Sequence, residues 1–241
     1  MDLQLYEWTI TDYQNLVKFL KSEADPKYRD FHASLVPDVS EDFILGIKMP
    51  KLREFGKEIA KGNLRSYLKV AGNTLYEERM LKGIVTGLVK TKQFDEFVGL
   101  CDDFVKEVNN WAVCDCFCSG LKQTKKFKPE FFEYIEKYLN SENVWEVRVA
   151  LVIMLNYYLD DEYIDRVLER CDSVKSDFYY VKMAQAWLVA TALAQCESKT
   201  MAYIKSNSLD DDTFNKMIQK CVESRRISDE NKEYLKSLKR H

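Results

Sequence analysis

Between Glu107 and Lys122 the only charged residue is Asp115, in the stretch NNWAVCDCFCSG. A lone carboxylate in a helix that reads as apolar all round costs on the order of several kcal/mol to ionise unless something compensates it. It therefore calls for a structural pairing or a chemical task. Two later segments repeat the pattern. From Val147 to Leu159 (VRVALVIMLNYYL) the only charge is Arg148, and from Phe178 to Gln195 it is Lys182. The positions Lys82, Asp115, Arg148, Lys182 and Lys216 are spaced by 33, 33, 34 and 34 residues.

A period of roughly 30 to 47 residues, each filled by a helix pair, is the signature of a helical solenoid whose second helices line one concave face. The five side chains are expected to form a ladder along that face. The expected fold is all-α: an α-α superhelix of HEAT/armadillo-like helical repeats forming a concave groove, as one continuous domain over residues 1–241. Only 4 Pro and 8 Gly in 241 residues favour long helices and short turns over a sandwich or barrel.

Helical spacing and cap residues predict the elements in order. Helices are expected over 10–23 behind Thr11 or Asp12, over 26–35 with Pro26 in the first turn, and from Pro50 onward with Leu52, Phe55, Ile59 and Ala60 inward. Further helices follow over 64–70, 76–91, 93–106 and 110–122. The basic segment QTKKFKPE reads as a loop. It precedes pairs at 129–140 with 142–158 (Ser141 or Asn143 as cap), 160–173 with 177–196, and 197–207 with 211–224. A polar helix over 228–239 closes the stack. Trp111 and Asp115, four apart, share a side of their helix.

With 46% hydrophobic and 31% charged residues the chain is globular. The start MDLQLYEWTITDYQ lacks a signal-peptide layout and no segment reads as a membrane span, so a cytoplasmic location is expected. Seven Cys without secreted-type spacing read as thiols, mostly small core residues. Cys116 lies about 200° around a helix from Cys114, so Cys114, Cys116 and Cys118 cannot share an ion, and no metal is expected. His32 and His241 are the only histidines; a histidine within a helix, as His32 is, more often has a structural role, and His241 is the last residue, so a histidine-based triad is not expected.

The net charge of −3 argues against a chain coated with nucleic acid, but the distribution is uneven. From Lys48 to Lys92 there are eleven Lys or Arg and four Asp or Glu, a local +7, whereas 160–177 and 210–212 are acidic. Such polarity suits a one-sided phosphate-binding face, and equally any acidic partner.

Four patterns stand in order along the chain: LGIKMPKLR (Leu45 to Arg53), Trp-x-x-x-Asp at Trp111 and Asp115, Trp-x-x-Arg at Trp145 and Arg148, and Lys-x-Ala-x-x-Trp at Lys182, Ala184 and Trp187. In these, over nearly its whole length, the chain resembles the AlkD-type family of alkylpurine DNA glycosylases, an all-helical HEAT-like superhelix. The resemblance implies that Asp115 is the catalytic carboxylate and that Trp111, Arg148 and Trp187 line the lesion site. It implies a duplex containing alkylated purines lying on the concave face, contacted through backbone and sugar, with no cofactor. An N3- or N7-alkylated purine is cationic and leaves readily. A carboxylate then stabilises the oxocarbenium-like sugar and orients water, and tryptophan faces attract cationic centres by ~0.5 to 2 kcal/mol. Arg148 would hold a flanking phosphate. Candidate phosphate contacts are Lys48, Lys51, Arg53, Arg79, Lys82, Lys122, Lys125, Lys126 and Lys182. Two features depart from the pattern: the sequence is more acidic, and LVATALAQ after Trp187 lacks an Arg often found there.

Each residue also has a plain structural role open to it. Asp115 could cap a neighbouring helix or pair with Arg148, and a Trp at helical spacing is often core, Trp145 foremost. The same features fit a non-catalytic DNA-structure-binding relative or a HEAT-type protein-interaction scaffold. A monomer is expected.

Overall fold

The computed structural model describes residues 1–240; His241, one of the two histidines considered above, lies outside the described residues. Among the described residues there are α-helices and 3₁₀ turns and no strand. The contacts divide the chain into two compact units, Met1–Phe127 and Lys128–His241.

The first unit contains α1 (Ile10–Ser22), α2 (Pro26–Ala33), α3 (Met49–Lys61), α4 (Leu64–Val70), α5 (Tyr76–Leu88), α6 (Phe94–Val105) and α7 (Trp111–Gly120), with 3₁₀ turns at Glu41–Phe43 and Lys122–Lys125. Helix α3 packs on α5 and α5 on α7, while α4 and α6 flank α5. Lys82 and Asp115, one repeat apart in sequence, therefore stand on neighbouring helices. The start of α1 differs from the sequence expectation. Thr9 is the cap, accepting from the Asp12 amide while the Asp12 carboxylate accepts from the Thr9 amide. This reciprocal box satisfies two otherwise orphaned donors, which neither Thr11 nor Asp12 alone could do.

Two buried acids on α5 hold the first unit's backbone. Glu77 is fully buried, and its carboxylate accepts from the amides of Leu45 (2.9 Å), Gly46 (2.8 Å) and Ile47 (3.2 Å). Burial pushes its pKa up, although the three amides pull it down. Gly46 has φ 85°, and a Cβ there would lie 2.3 Å from the Asp25 carbonyl oxygen, so this turn requires glycine. Glu78 accepts from the Leu75 amide at 2.8 Å and from the Tyr13 hydroxyl, tying α1 to α5.

The second unit contains α8 (Lys128–Tyr134), α9 (Glu136–Leu139), α10 (Val144–Tyr157), α11 (Ile164–Ser173), α12 (Tyr179–Leu193), α13 (Glu197–Lys205), α14 (Asp211–Glu223) and α15 (Asp229–Ser237). The expected helix over 129–140 is interrupted at Ile135, and the basic segment before it contains the 3₁₀ turn rather than an open loop. Helix α10 packs on α12 and α12 on α14, so Arg148, Lys182 and Lys216 again fall on successive neighbouring helices. Asn143 caps α10. Every residue of α10 from Val147 to Leu155 is buried, at ~1.5 to 3 kcal/mol for each large apolar side chain, which makes this helix the centre of its unit.

Candidate functional site

Helix α7 is short, and its start is fixed by Asn110. The fully buried Asn110 side chain accepts from the Val113 amide at 3.0 Å and donates to the Asn109 side-chain oxygen at 2.9 Å. Such a cap is worth ~1 kcal/mol and sets where Trp111 begins the helix. The Trp111 indole N–H donates to the Leu35 carbonyl at 2.9 Å, so the ring is held against the segment following α2. One turn later comes Asp115. Val113, Cys114, Phe117 and Cys118 are core, whereas Trp111, Ala112, Asp115 and Cys116 are half-buried. The expectation of a segment buried all round is thus corrected: α7 has one wetter side, and the carboxylate is on it. Water on that side lowers the cost of keeping Asp115 ionised. Burial pushes the neighbouring Cys116 thiol up, with the Asp115 charge adding to it and the Arg53 guanidinium opposing it through a hydrogen bond.

Beside this face the ends of α5 and α7 meet α3 around a cleft of about 680 Å³. Its cations are Arg53, Lys57, Lys90, Lys122 and Lys126, and no Asp or Glu lines it. Three of these five were named from the sequence. Lys57 and Lys90 were not, although Lys57 lies four residues after Arg53 and so on the same side of α3. Its apolar wall includes Ile84, Leu88 and Val89. Lys126 is oriented by donating to the Thr91 carbonyl at 2.9 Å.

The remaining candidate phosphate contacts have varied settings. Lys48 is exposed, with its ammonium 5.6 Å from the Tyr28 ring centre, and Lys125 is exposed on the 3₁₀ turn. Lys51 pairs with Glu23. Arg79 is half-buried beside Glu78 and Glu107, and burial lowers its pKa. Lys82 pairs with Glu107 at 2.5 Å, leaving only 16% of its side chain exposed.

In the second unit Arg148 is 4% exposed, donates to the Tyr180 carbonyl at 2.6 Å and lies 5.9 Å from that residue's ring centre. Trp145 packs against Phe178 and Tyr180, in keeping with its reading as a packer. Trp187 is 36% exposed and lines a smaller cleft of about 340 Å³ together with Lys220 and Arg226, two cations the sequence patterns did not single out. Lys182 lies among Asp210 (3.2 Å), Asp177 (3.8 Å) and Asp212 (3.9 Å), and the hydrogen bond to Asp210 raises its pKa.

Cys114 and Cys118 are buried and Cys116 is half-buried, all as free thiols, and among the described residues no group of three His, Cys, Asp or Glu is placed to hold a metal ion. His32 stacks on Tyr28 and contacts Tyr76. Among the described residues no helix is long and apolar enough to cross a membrane.

No curated protein matches the chain. A family model described as DNA alkylation repair enzyme matches residues 14–209, a span that includes helices of both units and the positions Trp111, Asp115, Arg148, Lys182 and Trp187. This chain belongs to the DNA alkylation repair enzyme family.

Proposed function

We propose that the protein is a DNA glycosylase that hydrolyses the N-glycosidic bond of N3- or N7-alkylated purines in duplex DNA, acting as a monomeric HEAT-like solenoid without a cofactor. The observation that carries this is the pairing on α7: a half-buried carboxylate one turn after a tryptophan whose indole N–H is already committed to Leu35. A fixed ring and a carboxylate on one helical side offer a preorganised, electron-rich surface to a positively charged leaving base and to the cationic sugar it leaves behind. Asp115 stabilises the oxocarbenium-like sugar and orients the water that attacks C1′. Because the alkylated base departs neutral, no general acid is needed.

Trp111 and Trp187 contact the lesion nucleotide. Arg148, with 4% of its surface exposed, acts on the DNA mainly through its field, offsetting the repulsion between carboxylate and phosphates, rather than by a fork-like contact. Arg53, Lys122, Lys126, Lys48 and Lys125 contact the backbone.

The test is release of free 7-methylguanine and 3-methyladenine from methylated duplex DNA. Wild type should release both, and Asp115→Asn should lose at least about 100-fold in rate, the size expected for removing an electrostatic stabiliser, while binding DNA as before. If neither protein releases base above the spontaneous rate, the enzyme is not a glycosylase of this class. Salt-dependent duplex binding would then point to the non-catalytic relative, and its absence to a protein scaffold.

A further inference from the structure

We infer that the cleft between α3, α5 and α7 is a binding site for one unstacked nucleotide, an aromatic base together with its phosphate. The inference rests on the reading that the protein works on DNA, from which the nucleotide would be displaced. The cleft is distinct from the Trp111–Asp115 surface, although Cys116 and Ser119 of the same helix line it.

The argument begins with charge. Five cations surround the cleft, and among the described residues none of them is paired with a carboxylate. Two have a local explanation, since Lys90 and Lys122 follow the C-terminal ends of α5 and α7, where exposed carbonyl dipoles favour positive charge. Lys126 is held by a carbonyl as well. Arg53 donates a hydrogen bond to the Cys116 sulfur but meets no counter-charge among the described residues, and Lys57 has no such account; the two sit mid-helix on α3, one turn apart and facing the same space. Like charges at that spacing repel and weaken a helix, so an anion between them would relieve a standing repulsion.

Shape and chemistry narrow the anion. The volume of about 680 Å³ falls within the ~300 to 1,000 Å³ of small-molecule sites, far more than a bare phosphate fills. Ile84, Leu88 and Val89 offer an apolar wall, and the Arg53 guanidinium a planar cation on which a base can stack. An apolar wall under a cationic rim fits a ring that carries phosphate. Single-stranded nucleic acid is held by this combination of a positive track and stacking surfaces.

The fold supplies a variant that changes the shape of the cleft without changing its charge. A Cβ at Gly120, the last residue of α7 and part of the cleft lining, would meet nothing within 4 Å, so a side chain begun there starts in open space, and a leucine is expected to narrow the cleft. Binding of the single-stranded tetranucleotide (dT)4 and of a fully paired, undamaged duplex would be measured for wild type, Gly120→Leu and the double variant Lys57→Ala with Lys90→Ala, alongside base release from methylated duplex. Wild type is expected to bind (dT)4. Gly120→Leu should weaken that at least fivefold while shifting duplex affinity less than twofold, and the lysine variant should weaken both. Absence of (dT)4 binding by wild type, or (dT)4 affinity unmoved by Gly120→Leu, overturns the inference. Binding of thymidine 5′-monophosphate as tight as (dT)4 and equally sensitive to Gly120→Leu overturns the DNA source in favour of a soluble nucleotide. Base release separates the two proposals: (dT)4 binding with the expected variant pattern but no released base leaves the cleft standing and removes the glycosylase, and the converse removes only the cleft.

Discussion

The two units use their acidic side chains differently. In Met1–Phe127, Glu77 and Glu78 are buried on α5 and hold backbone amides and a tyrosine hydroxyl, so they do not neutralise the cations of the α3–α5–α7 cleft. In Lys128–His241 the acids face the cations: Asp210 meets Lys182, Asp165 meets Lys199, Glu133 meets both Arg166 and Arg170, and Asp160 meets Lys128. The first unit therefore keeps cationic surface available for an anionic partner at the expense of burying charge. In the second unit the repeat cation of α12, Lys182, is instead surrounded by three carboxylates. Acid–cation pairs occur in the first unit as well, among them Arg29 with Asp30 and Glu41, Lys51 with Glu23, Lys61 with Glu58, Arg65 with Glu96 and Lys82 with Glu107, but none of them involves a cation of the cleft.

The contrast can be broken first through stability. Removing Glu77 leaves three successive amides unsatisfied in a buried turn, so Glu77→Ala should cost about 3 kcal/mol or more. Gly46→Ala, which forces a side chain into the same turn at φ 85°, should cost a similar amount. Asp165→Ala, which removes one member of an exposed pair with Lys199, should change stability by less than about 1 kcal/mol. Urea unfolding of the three variants checks this. Equal losses would mean that buried and surface acids do the same job here.

Next comes DNA affinity. Each cation that displaces a counterion from duplex DNA adds roughly 0.9 to the slope of log K against log salt. Lys122→Ala should therefore flatten the slope by about that amount. Lys182→Ala should flatten it by less than half as much, because Lys182 is already compensated by carboxylates at 3.2 to 3.9 Å. Titrations of one duplex at four salt concentrations decide it, and equal slopes for the two variants would erase the electrostatic difference between the units.

Much of this was legible in the sequence. The repeat spacing placed Lys82 and Asp115 on adjoining helices, and Arg148, Lys182 and Lys216 likewise, because a helix pair and its turns consume a fixed length of chain. What periodicity could not show is which side of a helix meets water. Asp115 read as buried all round because its neighbours are apolar, yet the packing of α5 on α7 covers only one side. Nor does a charge in sequence reveal its partner. Lys82 and Lys182 read as phosphate contacts, and the carboxylates nearest to them lie 25 and 28 residues further along the chain, beyond any local pattern. The clamp of Glu77 on Leu45–Ile47 was hidden for the same reason, although LGI was part of the family pattern. Its glycine and the acid 31 residues later explain each other only in three dimensions.

The smallest expected effect concerns acid. His32 lies in the first unit, stacked on Tyr28 and against Tyr76, the residue before Glu77, and burial lowers its pKa from the ordinary 6.5. The fold therefore favours neutral imidazole. That contribution is present above pH 6.5 and is lost as pH falls below it towards the depressed value, because the unfolded chain takes up the proton first. Acidification from pH 7.5 to 5.5 should then loosen α2 and the start of α5 before α11 or α13, which contain no histidine. Amide exchange on the two units at both pH values measures this, corrected for the intrinsic pH dependence of exchange. His32→Phe should remove the difference, since an uncharged ring can keep the contacts with Tyr28 and Tyr76. A first unit that loosens equally in His32→Phe would assign the acid sensitivity to its carboxylates instead. Glu77 would then be a poor candidate, because its raised pKa makes its own contribution greatest at low pH and diminishing as pH rises.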